Sequence, residues 1–290
     1  MIDFHADDYA LFPAQSRRIL DCYHHGVLTG VSVLTNSPYL EECMRLLKET
    51  APDLLLTVHL NYYEGKALSE HEQVSLLTDA DNVFNVSFTT LVLASYLPHM
   101  RKKYYPQVKA EIKAQTEALI PWLQGQKLRL DGHGHYHMIP MVFDALAELI
   151  REEGWEVEYI RLPYEDRAMY RRLKSRLTGF RWINLVKVLI MNHFVRRNRA
   201  RYPDLLTQPE TAFSGIMYSG NMRYENASPI YHEITKKTDN AEILFHPGDV
   251  REEEDLPGIT NADDRVFLTA EGRRLEFEAL HRLMDDRQRI

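Results

Sequence analysis

Cysteine is nearly absent from this chain. Its 290 residues hold two, Cys22 and Cys43, and no C-x-x-C pair. That excludes a disulfide framework and favours a reducing compartment, so a cytoplasmic location is expected. No apolar run approaches the ~20 residues of a membrane-spanning helix. The opening MIDFHADDYAL has no basic stretch leading into an apolar one, so no secretory signal is expected. Net positive charge is missing too: the formal charge is −7, unsuited to duplex nucleic acid, which is gripped through Lys and Arg. Internal repeats and low-complexity tracts are absent. What is present, 44% hydrophobic and 27% charged residues, is the balance of a folded globular chain. At this length it needs no disulfide or metal staple to bury a core.

The patterning alternates strand and helix. Strands are predicted at 1–6, 30–35, 54–60, 127–131, 155–160, 212–218 and 241–246. Helices are predicted at 14–25 (closed by Gly26), 39–50 (with Pro52 just beyond), 105–124, 141–153 and 268–287. Such alternation predicts an α/β fold with a mainly parallel sheet, open or closed into a barrel. Two stretches stand apart. Residues 61–104 follow a strand without one clear period, and a connection that long reads as a functional loop or lid over the site. Residues 161–201 carry twelve Lys and Arg against Glu165 and Asp166, leaving this segment at +10 and the rest of the chain at −17. Within it, INLVKVLIMNHFV (183–195) reads as a buried helix beneath a solvated or subunit-contacting charged face.

Polar residues gather where strands end. Asp7 and Asp8 follow the first strand, His59 lies in the third, His133 follows 127–131, and His246 ends the late strand before Pro247-Gly248. In a parallel α/β fold these ends share one face, where active sites form. Each has a plain alternative: an Asp pair caps helices and makes turns, and a lone strand histidine is often a bonded core residue. The run His133, Gly134, His135, Tyr136, His137 is harder to explain by packing. As an extended segment it places three imidazoles on one side. One carboxylate with two imidazoles from three strands makes a half-open metal site. A second carboxylate beside it could take a proton from water.

The segments HADDYAL (5–11), VHLN (58–61), DGHGHYHM (131–138) and FHPGD (245–249) resemble the YdjC-like carbohydrate deacetylases. That family includes chitooligosaccharide deacetylases and hopanoid-biosynthesis-associated deacetylases. The motifs follow the family order, and EGKAL (64–68), IRLP (160–163) and FSGIMYSG (213–220) are similar to its connecting segments. The resemblance implies an irregular TIM-like (β/α) barrel of the glycoside hydrolase and deacetylase type. It would be one domain over 1–290 with insertions at 61–104 and 161–211. It implies one divalent metal held by Asp8, His59 and His133, with Asp7 as general base, His246 as the acid that protonates the leaving amine, and Arg161 orienting a catalytic carboxylate. Asp7 and His246 would then stand on different sides of the reacting carbon.

The implied reaction is hydrolysis of an N-acetyl group on an amino sugar or chitooligosaccharide. The resemblance suggests Mg²⁺. Two imidazoles suit Zn²⁺ or another transition ion better, so both metals stay open. The expected partner is a small-molecule amino sugar, with a homodimer also carried as an expectation. Against the family pattern, Ala10 stands where Gly is usual, Gly132 where Ser is usual and Phe245 where Cys is common. The alternative is a non-hydrolytic relative that keeps the metal site and binds a sugar or a lipid headgroup, the latter through the basic segment. A glycosidase fits poorly, because its two carboxyls must flank a bond ~5–9 Å apart and adjacent residues rarely do so.

Overall fold

The computed structural model describes residues 1–208, 210–250, 266 and 268–288. Seven strands form one parallel sheet: β1 (Ile2–Tyr9), β2 (Gly30–Val33), β3 (Leu55–Leu60), β4 (Leu128–Gly132), β5 (Val157–Ile160), β6 (Ala212–Ser214) and β7 (Ala241–Phe245). Their order is β5-β4-β3-β2-β1-β7-β6. Helices α1 (Pro13–His24), α2 (Leu40–Thr50), α5 (Pro98–Leu119), α6 (Pro140–Glu152), α9 (Tyr224–Thr235) and α10 (Glu271–Gln288) accompany it. Among the described residues β5 pairs only with β4 and β6 only with β7, so the sheet curls without closing through backbone bonds. Side chains bridge the gap. Tyr159 on β5 donates its hydroxyl to Glu242 on β7 at 2.6 Å, and Arg161 Nε lies 2.5 Å from the same carboxylate.

The alternation along each strand explains this curl. Phe4 and Ala6 of β1 are buried on the helix side, Phe4 against Tyr231 of α9. Asp3, His5 and Asp7 point inward. Ser32, Thr57, His59, Arg129, Asp131, Tyr159 and Glu242 join them by contact with one another. The concave face is therefore polar, and the apolar core lies between sheet and helices. A buried polar face persists only when its groups are paired, and here they bond each other. Gly26 lets the turn after α1 meet α10. A Cβ there would stand 2.7 Å from the Cys22 carbonyl oxygen and 2.9 Å from that of Leu280.

Three expectations change. The first strand runs past Ala6 to Tyr9, so the aspartates lie within it rather than after it. Residues 61–104 are a packed excursion with helices of their own rather than an irregular loop. They hold α3 (His71–Val74), α4 (Phe88–Tyr96) and the start of α5, cross-linked by the antiparallel bridges Lys66–Val83 and Thr78–Phe84. Buried Glu111 of α5 accepts the amides of Leu68 and Ser69 at 3.0 and 2.9 Å. The basic stretch forms α7 (Arg167–Leu173) and α8 (Trp182–Arg201). Only one side of α8 is buried; Ile183, Val186, Leu189 and Ile190 are exposed. Residue 209, inside the expected 161–211 insertion, lies outside the described residues, as do residues 251–265 of the expected single domain. Among the described residues no helix is long and apolar enough to cross a membrane.

The β5 edge is finished by a side chain. The Gln208 carboxamide accepts the Ile160 amide at 3.0 Å and donates to the Ile160 carbonyl at 2.6 Å, as a neighbouring strand would.

Candidate functional site

Adjacent residues of a regular strand face opposite ways. Asp7 and Asp8 both reach the concave side because β1 bulges: its register against β2 shifts between Ala6 and Tyr9, and Asp8 adopts φ +68°. A bulge re-aims a side chain in this way. Ala10 follows at φ +72°, where glycine is favoured, with its amide held by Ser16 Oγ at 3.0 Å.

His59 of β3 lies beside Asp131 of β4 in the parallel register. Its Nδ1 is 2.7 Å from Asp131 Oδ1. The carboxylate can only accept, so Nδ1 carries the hydrogen and Nε2 is aimed into the site. Nε2 is buried without a hydrogen-bond partner, 3.6 Å from Asp8 Oδ1 and 3.8 Å from Asp7 Oδ2. His133, just past β4, places Nδ1 3.0 Å from Asp8 Oδ1. Single donor atoms of Asp8, His59 and His133 all lie within 4.8 Å of one another. A second such group, His5, Asp7 and Asp131, is bound up in contacts with Ser32 and Arg161.

Arg161, immediately after β5, is wholly buried. Its terminal nitrogens bond both oxygens of Asp7, at 3.0 and 2.9 Å, and one lies 2.7 Å from Asp131 Oδ2. His246, immediately after β7, is partly exposed. Its Nε2 is 4.0 Å from Asp7 Oδ2, and its amide donates to Glu276 at 2.6 Å. All six residues singled out in the sequence therefore meet at the C-terminal ends of the strands. Two expectations about their arrangement fail. Asp7 and His246 adjoin at 4.0 Å instead of standing apart around a carbon. The 133–138 segment is a kinked 3₁₀ turn, with Gly134 and His135 at φ +56° and +59°, so its imidazoles diverge. His135 packs edge-on against Phe213, and His137 Nε2 bonds the Arg161 carbonyl oxygen at 2.9 Å. Of the 61–104 stretch, Tyr63 and Glu64 reach the site. The Tyr63 ring stacks on His133 at 5.8 Å, and Glu64 Oε1 is 3.9 Å from His133 Nε2.

The electrostatics are compatible with a cation site. Burial pushes the Asp7 carboxyl up, but Arg161 and then His59 outweigh it and hold the group below the ordinary range. Asp8 is likewise favoured upward by burial and driven well down by His133 and Arg273. Burial opposes charge on His59, yet Asp7 and Asp131 raise its pKa to about 10. The His133 value is raised by Asp8 against the same penalty. Imidazoles so eager for protons report negative potential that a metal cation would answer, releasing those protons on binding. His135 and His137 go the other way. Burial, then Arg161, holds His135 well below its ordinary value, and burial takes His137 to about 4. Both shifts favour the neutral imidazole.

Several residues here escaped the sequence reading. Asp131 orients His59 and shares Arg161. Glu242 braces Arg161. From α10, Arg273 donates to Asp8 Oδ2 at 2.7 Å and Glu276 holds the His246 backbone. Two signals were available. Asp3, His5, Asp7 and Arg129, Asp131 are polar at alternate positions of otherwise apolar strands. Arg273 and Glu276 continue the buried stripe of Leu280 and Leu283.

The chain has relatives among known proteins. The family described as YdjC-like protein matches residues 1–283. The chain is 25% identical over 262 residues to a carbohydrate deacetylase of Danio rerio, covering 83% of this chain and 80% of that one. It is 30% identical over 161 residues to a carbohydrate deacetylase of Thermoanaerobacter pseudethanolicus, covering 55% and 60%. It is 26% identical over 157 residues to a chitooligosaccharide deacetylase of Proteus mirabilis, covering 54% and 58%. A crystal structure from Enterococcus faecalis V583, named for cellobiose-phosphate cleavage, superposes with a TM-score of 0.66 at 17% identity. It covers 99% of this chain and 94% of that one, and shares the fold.

Proposed function

We propose, on the premise that the chain belongs to the YdjC-like protein family, that it is a metal-dependent hydrolase removing the N-acetyl group from an amino sugar or chitooligosaccharide. The relatives' names support the reaction class. The observation that carries the reading is the trio Asp8, His59 and His133, with a buried unpartnered Nε2 at its centre and a separate carboxylate beside it. The curled sheet is read as an irregular TIM-like barrel, and the excursions 61–104 and 161–211 as insertions on one domain.

The donor set fits a divalent ion. Asp8, His59 and His133 would hold it, and Asp131 behind His59 is the kind of outer partner that fixes a ligand's tautomer. When bound, such an ion supplies Lewis acidity to the acetyl carbonyl and makes water a better nucleophile at neutral pH. Two imidazoles favour Zn²⁺ or another transition ion, while the family resemblance favours Mg²⁺. Asp7 takes the proton of the attacking water. Arg161 keeps Asp7 ionised and fixes its plane, which makes it an oriented, though weak, base. His246 sits beside it with a partly open ring and gives a proton to the departing amine, which leaves poorly as an anion. Asp7 and His246 together favour an enzyme over a binding relative, because metal retention requires neither.

The test is acetate release from N-acetylglucosamine oligomers after chelation and re-addition of Mg²⁺ or Zn²⁺. Release that chelator abolishes and one metal restores is expected. No acetate from any N-acetylated sugar with either metal loaded would leave the non-hydrolytic sugar- or lipid-headgroup-binding alternative.

A further inference from the structure

The first half of α8 presents apolar side chains to solvent on successive turns. Trp182 is 75% exposed, Ile183 54% and Val186 48%, with Leu189 and Ile190 following. Phe180 in the preceding loop is exposed and packs edge-on against Trp182 at 5.3 Å. This loop is held in place. The Thr178 amide donates to Asn226 at 2.9 Å, and Asn221 donates to the Thr178 carbonyl at 2.7 Å. A rigidly presented Trp and Phe beside an apolar stripe is not what solvent selects.

The charge around the stripe indicates what covers it. Lys174, Arg176 and Arg181 lie in the α7–α8 loop, all exposed, and among the described residues none has a carboxylate within ion-pair distance. Beside them a cleft of about 300 Å³ between α7 and α8 is lined by Arg167, Arg171, His193 and Arg196, with Leu189 at its wall and two carboxyls, Asp166 and the buried Glu165, opposing them. Asp166 is already engaged by Lys237 at 3.1 Å. A second copy of the chain, meeting the same face, would bring two sets of Lys174, Arg176 and Arg181 together. An anionic surface with an apolar interior meets both demands at once.

We propose that the α7–α8 unit is a docking surface for an anionic lipid bilayer, inserting Phe180, Trp182 and Ile183 below the headgroups while the loop and cleft arginines engage phosphates. Exposed apolar side chains flanked by unpaired cations suit an anionic interface. The unit joins the site's end of the sheet, since Asn184 of α8 donates to the Met217 carbonyl, in the loop after β6, at 3.2 Å. Docking is independent of the catalytic reading.

The test is co-sedimentation of the full chain with vesicles of phosphatidylcholine alone and of phosphatidylcholine with about 30% phosphatidylglycerol. Binding is expected to the anionic vesicles only and to weaken in 0.5 M salt, roughly five times the ionic strength at which the Debye length is ~10 Å. Lys174→Glu, Arg176→Glu and Arg181→Glu combined should lower partitioning by about 100-fold or more, and Trp182→Ser with Ile183→Ser by about 10-fold. Brominated lipid should quench Trp182 fluorescence. The proposal is overturned if anionic vesicles leave the chain in the supernatant, or if the variants bind as the parent does. It is equally overturned if sedimentation equilibrium shows a dimer that Trp182→Ser dissociates, since a second copy then covers the stripe.

Discussion

Arg161 holds both oxygens of Asp7, at 3.0 and 2.9 Å, from a guanidinium wholly out of solvent. Asp8, its chain neighbour, is held by a different arginine, Arg273, and by His133. Two adjacent carboxylates thus answer to two different arginines, while His59 Nε2 lies within 4 Å of both.

Different arginine partners predict separable losses. Asp7→Asn should leave metal content nearly intact while cutting turnover by about 10²-fold or more. Arg161 keeps Asp131 and Glu242 as partners, so the fold survives the loss of charge. Asp8→Asn should lose metal as well. Metal analysis of both purified variants beside acetate release decides this, and equal metal loss would reverse the two assignments.

Asp131 touches no expected substrate, yet it sets the direction of His59 Nε2. Asp131→Asn should weaken metal affinity by about 10–100-fold, the usual scale for an outer partner of a ligating histidine. Competition with a chelating dye gives the affinity, and circular dichroism reports whether the sheet persists. Unchanged affinity in a folded variant would mean that the bond orients nothing.

For His246 the informative comparison is between leaving groups. His246→Ala should depress turnover on an acetamide sugar far more than it raises KM. On an activated acetate ester, whose leaving oxygen needs no proton, most activity should return. Equal damage on both substrates would reduce His246 to a brace for the Pro247-Gly248 turn.

Glu165 gives a pH signature away from the metal trio. Burial, against the amides of Gly215, Ile216 and Met217 that bond it, raises its pKa from 4.5 to about 7. The folded chain therefore binds this proton more tightly than the unfolded chain. Its contribution to stability is complete below pH 4.5 and is lost as the pH rises through 7, by about 3 kcal/mol at ~1.4 kcal/mol per pK unit. Glu165→Gln cannot titrate. Urea unfolding of both proteins between pH 4.5 and 8 should show the parent losing stability relative to the variant. Parallel curves would mean an ordinary carboxyl.

Most strand positions and five of the six converging side chains could be read from the residues, because a polar residue closing an apolar run has few explanations; Arg161 came only with the family resemblance. Three things could not. Period two places Asp7 and Asp8 on opposite faces, and only the bulge at Asp8 reverses that. An extended HGHYH segment is excluded by the left-handed backbone at Gly134 and His135, which no composition rule marks. The third is the stretch from 61 to 104. It lacks one period because its helices are short and its order comes from Glu111, a carboxylate on α5 that lies 42 and 43 residues beyond the amides it accepts.

Gln208 changes how the molecule meets other copies of itself. An open parallel sheet normally offers a row of free amides and carbonyls at its rim, a template on which a stray strand can grow. Here the rim strand β5 has four residues, and at Ile160 both backbone groups are already taken by one carboxamide. Fibril growth at that rim would first have to evict a side chain that satisfies donor and acceptor together. The carboxamide thus closes this backbone pair to a stray strand, whatever chemistry the concave face performs.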